Sequence, residues 1–599
     1  MRRIKEFLIN SMKGISQAGF RFPMTVASLL VAASIVFRLI AMDGVPSLML
    51  QKLIFTFVVG AVLGMVAQFA VERIQKLSHK RVLAYGAAVL LLVSYFLILL
   101  PALEISAEIT VRSLVAVFAL VCMVLWIPSY KSEVNFNLIA LVHFKFFFTS
   151  LLYSGVLSAG IAAIIGAVHI LLFKVNNDAY AYTMTIIWVL FAPVYYLSLL
   201  PNFNSDSEED QTKMERVSSY PRFLDILISY IAIPLISAYT LVLIAYFLKI
   251  LFTFTWPSGQ VGPMVLIYSI AGLLIFILSS LLENRFAVLY RKIFPKILIP
   301  VVIMQLISVG IRLNTYGVTE SRYYVAIFGV FSIIVGVLLS FSPVSKNGRI
   351  AFLAAAFAII SVIPPVDAFT VSRMSQIQRI ESILENEGML INGEIIMKED
   401  ASEYTRIEAT NILNYLQRSS SLKYIDWLPE DFTIYRDFKP TFGFEPTYPA
   451  YMGGDQQYFN ISLDFQKPLP ISGYDVLLNG NAGRYMKENQ MTDLVFELNA
   501  KSYRLKIDKI SNLEVHVSII DSRGNELVGT GLHEFAQGLA GETTLSKEGL
   551  DPNELSFDVI ENEYKMKIIF QNISFAMGSG SDSGVDYTIY VLFATPDSK

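Results

Sequence analysis

One short stretch of the sequence concentrates side chains that bind ions and headgroups: Arg312-Leu-Asn-Thr-Tyr316-Gly317-Val-Thr-Glu320-Ser-Arg322-Tyr323. It places two arginines, one glutamate and two tyrosines between two apolar runs. Charges at a membrane edge are costly unless they are paired or face water. We interpret the stretch as a tight hairpin in which Glu320 bridges Arg312 or Arg322 and Gly317 supplies a positive φ. Such a hairpin is a structural clamp, or a contact for an anion or headgroup through its arginines.

The rest of the sequence carries no recognisable catalytic pattern. It lacks the phosphate-binding G-x-x-x-x-G-K-[ST] pattern and the H-E-x-x-H and G-x-S-x-G patterns. The single cysteine, Cys122, excludes a disulfide or a cysteine-pair metal site within the chain. The five histidines are scattered, and we interpret His533-Glu534 as a surface pair on a loop. We predict no catalytic residue, no cofactor and no metal, and the sequence favours a non-enzymatic role.

The composition indicates a lipid bilayer as the first partner and excludes nucleic acid. Hydrophobic residues make up 54% of the chain and charged residues 16%, whereas soluble domains contain about 25% charged residues. The apolar excess lies before Asp367. The net charge is −3, and no clustered basic face of the kind that binds nucleic acid is visible in the sequence.

About eleven apolar runs are long enough to cross a bilayer. A helix rises 1.5 Å per residue, so about 20 apolar residues cross a hydrocarbon layer of about 30 Å. Backbone polar groups cannot remain unpaired in lipid, so each run is predicted to be helical. Two long runs are expected to tilt, or to break at Gly160 and Pro234. The predicted spans are 23–42, 53–71, 82–100, 110–127, 146–173, 180–200, 223–252, 261–282, 296–312, 322–341 and 350–367.

The distribution of basic residues predicts which side each connection faces. With the N-terminus in the cytoplasm, the cytoplasmic segments contain twenty lysines and arginines and the opposite connections contain four. The clearest single loop is 284–296, with Arg285, Arg291, Lys292 and Lys296. Positively charged connections remain in the cytoplasm, so eleven crossings place the C-terminal domain outside it.

The soluble part is predicted to begin with helices and to continue as strands. Apolar spacing indicates helices over Val371–Asn386 and Ser402–Arg418, the second capped by Asp400 and Glu403. The proline-broken aromatic stretch from Tyr424 to Tyr451 is predicted to be irregular. Its aromatic side chains are expected to be buried under the β-rich domain or, alternatively, to bind a glycan, peptide or lipid surface. Period-two patterns predict strands at 459–465, 474–478, 494–498, 503–507, 513–520, 555–560, 564–571 and 587–593, with turns at 521–524 and 578–584.

These patterns predict a polytopic α-helical membrane protein of about eleven transmembrane helices, followed by an α+β, mostly antiparallel β, soluble domain. The predicted parts are a basic cytoplasmic N-terminus (1–22), a first bundle of six helices (23–200), an acidic cytoplasmic linker (201–222), a second bundle of five helices (223–369), a helical and aromatic-rich linker region (370–457) and a β-rich extracytoplasmic domain (458–599).

The R-x-x-x-Y-G-x-T-E-x-R-Y string from Arg312 to Tyr323 resembles an uncharacterised bacterial family of multi-pass membrane proteins, domain of unknown function 4153 (DUF4153). Tyr220-Pro221-Arg222 and Trp256-Pro257-Ser-Gly259 fit the same family. The resemblance is densest between 220 and 324. It implies many membrane helices and a C-terminal tail in the bacterial cytoplasmic (inner) membrane, and it implies no activity and no catalytic residue.

Three functions are compatible with these features. The favoured one is a cell-envelope scaffold, sensor or assembly factor whose β-rich domain binds an envelope glycan, lipid or protein. The alternative is a transporter or lipid flippase for an anionic solute or headgroup, with a polar cavity that reaches Arg312 and Glu320. A glycosyltransferase for lipid-linked sugars would use an acidic residue of the first outer loop, where Asp43 lies, but we interpret Asp43 as a helix-end or turn residue.

Overall fold

The computed structural model describes residues 13–42, 47–204, 208–253, 261–429, 432–448, 457–465, 467–483, 491–511, 513–540, 547–577 and 584–596. The chain divides into two compact units, Met1–Pro446 and Thr447–Lys599. Among the described residues, the regular elements of the first unit are helices except for one short hairpin, and the second unit is built mainly of β-strands.

Ten helices of the described chain are long and apolar enough to cross a membrane, so the protein is a multi-pass membrane protein. Large apolar side chains such as Leu90 and Leu241, each about two-thirds exposed, lie on the surface of these helices. Such a surface suits hydrocarbon rather than water. The ten helices are α1 (Pro23–Ile40), α2 (Leu48–Arg73), α3 (Arg81–Leu99), α4 (Ala107–Trp126), α5 (Phe136–Leu171), α6 (Asp178–Leu199), α8 (222–253, after the short linker helix α7, Glu208–Ser218), α9 (Val261–Ser279), α10 (Arg285–Tyr316) and α11 (Glu320–Phe341).

The eleventh predicted span is a shorter helix. It is α12, Gly348–Ile360, with 13 residues, which at 1.5 Å per residue extend about 20 Å. Turns follow at 361–367, where two consecutive prolines lack the amide hydrogen needed to continue a helix. The long apolar helices of the described chain are therefore one fewer than predicted. α12 packs against α4 through small buried side chains, namely Ala119, Cys122, Ala355 and Ala358.

Two spans begin much earlier than hydropathy predicted. α5 begins at Phe136 rather than 146, and α10 begins at Arg285 rather than 296. The side chains of Asn135 and Asn284 cap them by accepting backbone amide hydrogen bonds, as N-cap residues do. The basic group expected in a loop therefore lies on the first three turns of α10: Arg285, Arg291, Lys292 and Lys296.

Neither long run is broken where a break was considered. α5 continues through Gly160. α8 contains a π-helical turn, Leu227–Ala232, just before Pro234. A proline removes one helical hydrogen bond and crowds the preceding turn, and a locally widened helix absorbs both effects.

Three helices form a layer at the end of the first unit, here called the extramembrane layer: α13 (Ala368–Asn386), α14 (Glu403–Arg418) and α15 (Ile434–Phe442). The predicted bounds of α13 and α14 agree within three residues. The cap of α14 was predicted wrongly, since Ser402 rather than Asp400 accepts the hydrogen bond, from the Thr405 amide. A two-stranded hairpin, β1 (Leu390–Ile391) and β2 (Glu394–Ile395), lies between α13 and α14.

The aromatic stretch belongs to this layer. Four of its phenylalanines are buried in one core with Ile380 and Leu384 of α13 and Leu413 of α14. The prediction that the stretch is buried under the β-rich domain is therefore wrong, and the helix α15 corrects the prediction that it is irregular throughout. These phenylalanines are Phe432, Phe438, Phe442 and Phe444.

The second unit contains two sheets, and all described strand pairs except β3–β9 are antiparallel. The six-stranded sheet has the order β4-β12-β11-β3-β9, with β10 also paired to β11, and the four-stranded sheet has the order β5-β6-β7-β8. Buried residues of both sheets, such as Phe570 and Val517, share one core. The strands are β3 (Gln457–Leu463), β4 (Val476–Ala482), β5 (Met491–Leu498), β6 (Lys501–Lys509), β7 (Val515–Asp521), β8 (Glu526–Gly531), β9 (Lys547–Leu550), β10 (Ser556–Glu561), β11 (Tyr564–Met577) and β12 (Gly584–Ala594).

All eight predicted strands are present, and β8 and β9 were missed. His533 and Glu534 begin a helix, α16 (His533–Ala540), rather than lying on a loop. The turn at 521–524 is confirmed, with Gly524 at a φ of 88°. Most of the turn predicted at 578–584 lies outside the described residues.

Candidate functional site

The hairpin predicted from the sequence connects α10 to α11 through residues 317–319. α10 ends at Tyr316, and Gly317 follows with φ 69° and ψ 178°, a backbone region that is essentially restricted to glycine. The Gly317 amide donates to the Leu313 carbonyl at 3.0 Å. The glycine conformation thus reverses the chain in three residues, and α11 begins at Glu320.

Arg322 binds the turn that precedes it. Its Nη1 donates to the carbonyl oxygens of Tyr316 at 3.2 Å and of Gly317 at 2.9 Å. Its guanidinium carbon lies 5.5 Å from the centroid of the Tyr316 ring, within the range of a cation–π contact. The last carbonyls of a helix have no partner within the helix, so Arg322 satisfies groups that the turn leaves open.

The hairpin also binds the first helix of the extramembrane layer. Gln376 of α13 donates from Nε2 to the carbonyl oxygens of Tyr316 and Val318, both at 2.9 Å. The Val318 amide donates to the Ser375 hydroxyl at 2.9 Å. A Cβ atom at Gly317 would lie only 2.7 Å from Gln376 Nε2. We call this set of contacts between 316–318 and 375–376 the hairpin joint.

A second contact between the layer and the membrane helices centres on Asp367, the N-cap of α13. Its Oδ1 accepts from the amides of Phe369 at 3.0 Å and Thr370 at 3.1 Å, and from Arg112 Nη2 of α4 at 2.8 Å. The side chain is fully buried. Burial raises the pKa of Asp367, but the hydrogen bonds to Thr370 and the Arg112 charge outweigh burial, so the pKa lies below its ordinary value.

Two more residues support this contact. Arg112 also pairs with Glu108 at 2.8 Å, one turn earlier on α4. The Tyr323 hydroxyl on α11 donates to the carbonyl oxygen of Val366. The start of α13 is therefore bonded to α4 directly and to α11 through the residue that precedes its cap.

Glu320 does not form the ion pairs considered from the sequence. Among the described residues, no nitrogen of Arg312 or Arg322 lies within the 4.0 Å of an ion pair to it. The Glu320 carboxylate instead lies beside the Tyr415 hydroxyl of α14. Burial and this carboxylate raise the pKa of Tyr415, so the phenol stays protonated.

At the opposite end of the bundle, buried asparagine side chains connect α5 to the segment that precedes α12. Asn347, just before α12, donates to the Asn137 side chain at 2.9 Å and to the Ser280 hydroxyl at 3.2 Å. Asn137 also donates to the Val344 carbonyl at 3.0 Å. Asn137 lies eleven residues after the end of α4 at Trp126, whereas Arg112 lies in the second turn of α4, so these two contacts mark opposite ends of that helix.

The predicted hairpin is present, with Arg312 and Tyr316 at the end of α10 and Glu320, Arg322 and Tyr323 at the start of α11. The sequence did not reveal the partners of these residues. Arg112, Ser375 and Gln376 were not among the residues that the sequence suggested for this site. Asp367 had a recognisable signal, because an aspartate directly before a helical pattern is a typical N-cap. The contacts of Gln376 join residues about 60 positions apart and leave no local pattern.

The other residues singled out from the sequence provide less information about a functional site. Asp43 and the Trp256–Gly259 stretch lie outside the described residues. Pro221 precedes α8, and the Tyr220 hydroxyl donates to the Leu278 carbonyl at 3.2 Å, a contact between helices. Within the described ranges, no three histidine, cysteine or carboxylate side chains are arranged to hold a metal ion.

Comparisons with known proteins agree with this architecture. A family model described as "Domain of unknown function (DUF4153)" matches residues 24–389, from α1 through the hairpin joint to the end of α13. An uncharacterized protein of Pasteurella multocida (strain Pm70) is 23% identical over 226 residues, and the aligned segment covers 37% of this chain and 37% of that protein. No solved structure matches the chain.

Proposed function

The chain belongs to the DUF4153 family, and on that premise we propose that it is a non-enzymatic cell-envelope scaffold of the bacterial cytoplasmic membrane. In this proposal the bundle anchors the extramembrane layer, and the β-rich domain that follows in the chain lies outside the cytoplasm as a sensor or assembly platform. The hairpin acts as a structural clamp. The observation that carries the proposal is the hairpin joint, in which Gln376 and Ser375 of α13 bind the backbone of the α10–α11 turn.

The contacts of Arg322 favour the interpretation of the hairpin as a structural clamp rather than as an anion-binding site. Its Nη1 hydrogen bonds are directed to Tyr316 and Gly317, and a guanidinium held by carbonyl oxygens has fewer donors left for an anion. Asp367 and Arg112 add a buried ion pair on the same end of the bundle.

Two observations support the extracytoplasmic side for the layer. Basic residues are concentrated five to one in the connections on the side opposite the hairpin, and such connections stay in the cytoplasm. The segment around α12 begins at Asn347, bonded to Asn137, and reaches Asp367, bonded to Arg112. The two ends of this segment thus lie at opposite ends of α4. This arrangement supports counting α12 as a membrane crossing when the chain after residue 367 is assigned to one side of the membrane.

The β-rich unit offers a place for an envelope glycan, lipid or protein. A cavity of about 260 Å³ is lined by residues of β4, including Asn479 and Asn481, and of β5 and β6, including Leu494 and Leu505. β4 and β5 are the edge strands of their sheets in the described topology. Edge strands retain unpaired backbone groups that recognise extended ligands.

A deletion strain tests the proposal. It is complemented with the wild type, with Gln376→Ala plus Arg112→Gln to release α13, or with Arg349→Gln as a surface control. Docking is read by a Val318→Cys/Ser375→Cys disulfide in a Cys122→Ser background. We expect the released variant to be inserted but to fail to restore the envelope lipid and glycan profile, whereas the control restores it. Full restoration by a variant whose disulfide no longer forms would contradict the proposal.

A further inference from the structure

A cavity of about 390 Å³ lies where α4, α11, α13 and α14 meet, at the same end of the bundle as the hairpin joint. Ala107, Val111 and Phe369 supply apolar walls, and Glu320 and Arg418 are among its charged lining residues. Two of its walls are the first turns of membrane helices α4 and α11, so the cavity lies at the boundary between bilayer and water. An amphiphile can place its headgroup there while its chains remain in the bilayer.

Buried polar atoms with poor hydrogen-bond geometry gather around this cavity. Among the described residues, the hydroxyls of Tyr324 and Tyr415 in its lining, and Ser372 Oγ and Asp367 Oδ2 close behind, make no hydrogen bond of ordinary geometry. Tyr415 nevertheless lies beside the Glu320 carboxylate, and Tyr324 lies beside Ser361. Ser372 and Asp367 are fully buried, and Ser372 lies beside Tyr415. Buried polar atoms are nearly always well paired in native proteins, so these weakly bonded groups beside a charged cavity favour an additional polar ligand.

The charges of the cavity have both signs. Within the described chain, neither Glu320 nor Arg418 is within 4.0 Å of an oppositely charged side chain, whereas Glu108 is already paired with Arg112. Helix dipoles favour a glutamate at the start of α11 and an arginine at the end of α14. That preference does not account for the weakly bonded hydroxyls of Tyr324 and Tyr415 in the same cavity.

We propose that this cavity binds the headgroup of a phospholipid that carries both an ammonium group and a phosphate. The ammonium group pairs with Glu320, which lies beside the Tyr415 hydroxyl. The phosphate pairs with Arg418 and accepts from the Tyr324 hydroxyl. The cavity thus offers one charge-assisted hydrogen bond to the ammonium group and one to the phosphate. It therefore favours such a headgroup over one that lacks the ammonium group. This inference rests on the proposed function, because the cavity exists only while α13 and α14 are docked on the bundle.

Photolabelling of the full-length protein in vesicles tests the inference. Probes of phosphatidylethanolamine and of phosphatidylglycerol carry the same photoreactive acyl chain in vesicles of otherwise equal composition. We expect the phosphatidylethanolamine probe to label peptides covering 106–111 and 415–420 about tenfold more than the phosphatidylglycerol probe, the factor that one charge-assisted contact provides. Equal labelling by both probes, or no labelling of these peptides, would overturn the inference.

Variants complete the test. Glu320→Gln and Arg418→Gln are each expected to reduce phosphatidylethanolamine labelling about tenfold, while Glu403→Gln, an exposed position of α14, leaves it unchanged. The Val318→Cys/Ser375→Cys disulfide is measured in each variant. Unchanged labelling in Glu320→Gln and Arg418→Gln overturns the inference, and if the disulfide still forms, the proposed scaffold function stands. Loss of the disulfide in the wild-type background contradicts the scaffold proposal itself.

Discussion

At the scale of single residues, Gly317 is the position on which the hairpin depends most directly. Its φ of 69° and ψ of 178° suit glycine almost alone, and an added Cβ would lie 2.7 Å from Gln376 Nε2. We expect Gly317→Ala to lower the free energy of unfolding by about 1–3 kcal/mol, measured by thermal unfolding in detergent.

The matched control is Gly310→Ala in α10, where an added Cβ meets no atom within 4 Å. A helical glycine of that kind gains up to about 1 kcal/mol on replacement by alanine. Equal stability of the two variants would show that the turn does not impose the glycine conformation.

Glu387, at the end of α13, predicts a pH dependence. Its carboxylate accepts from Lys398 Nζ at 2.9 Å and from the hydroxyls of Ser402 and Thr405, both at 2.8 Å. These bonds lower the pKa of Glu387 from 4.5 to about 2. Because the folded pKa is depressed, the stabilisation is complete above pH 4.5 and is lost as the pH falls towards 2.

The measurement is the difference in Tm between the wild type and Glu387→Gln from pH 6 to pH 3. We expect this difference to be largest at pH 6 and to shrink steadily below pH 4.5. Glu399→Gln, at an exposed neighbouring position, is expected to show no such trend. A difference that grows towards acid pH would contradict the assigned role of the carboxylate.

At the scale of elements, the start of α13 depends on one ion pair between the layer and α4. Arg112→Gln leaves Asp367 buried without its countercharge, and we expect a loss of about 1–3 kcal/mol of unfolding free energy. Asp367→Asn is expected to cost less, since asparagine also caps helices. The double variant is expected to lose less than the sum of the single variants, as measured by denaturant unfolding. Strict additivity would show that the two side chains do not interact.

The elements also show what the sequence could and could not predict. Most spans were predictable, because a bilayer demands about 20 apolar residues and hydropathy averages over that length. The first residues of α5 and α10 were not predictable from hydropathy, because the first turns of these helices carry polar and basic side chains although their backbone is already helical. The burial of Phe438 and Phe442 against α13 was missed because aromatic composition does not reveal the partner surface.

The features of the candidate site were also only partly predictable from the sequence. The sharp turn at Gly317 follows from local steric preference and was predictable. The partner of Glu320 was predicted wrongly, because spacing brought the arginines near in sequence while the fold placed Tyr415 beside the carboxylate. The role of Gln376 could not be predicted from the sequence, because its hydrogen bonds go to backbone carbonyl oxygens, which every residue has.

At the scale of the whole molecule, the proposed scaffold function depends on which side of the membrane carries the extramembrane layer. The layer follows α12, whose 13 residues are too few to be recognised as a span by length. Asn347 and Asp367 nevertheless bond to opposite ends of the bundle. In our proposal α12 is an eleventh crossing, and this crossing decides the side of everything after residue 367.

Cysteine labelling of intact cells tests this claim most directly. In a Cys122→Ser background, Glu403→Cys reports the layer and Arg349→Cys reports the connection before α12, and both positions are exposed. With a membrane-impermeant maleimide, we predict that Glu403→Cys is labelled in intact cells and that Arg349→Cys is labelled only after the inner membrane is permeabilised. The reverse pattern, with Arg349→Cys labelled first, would contradict the account.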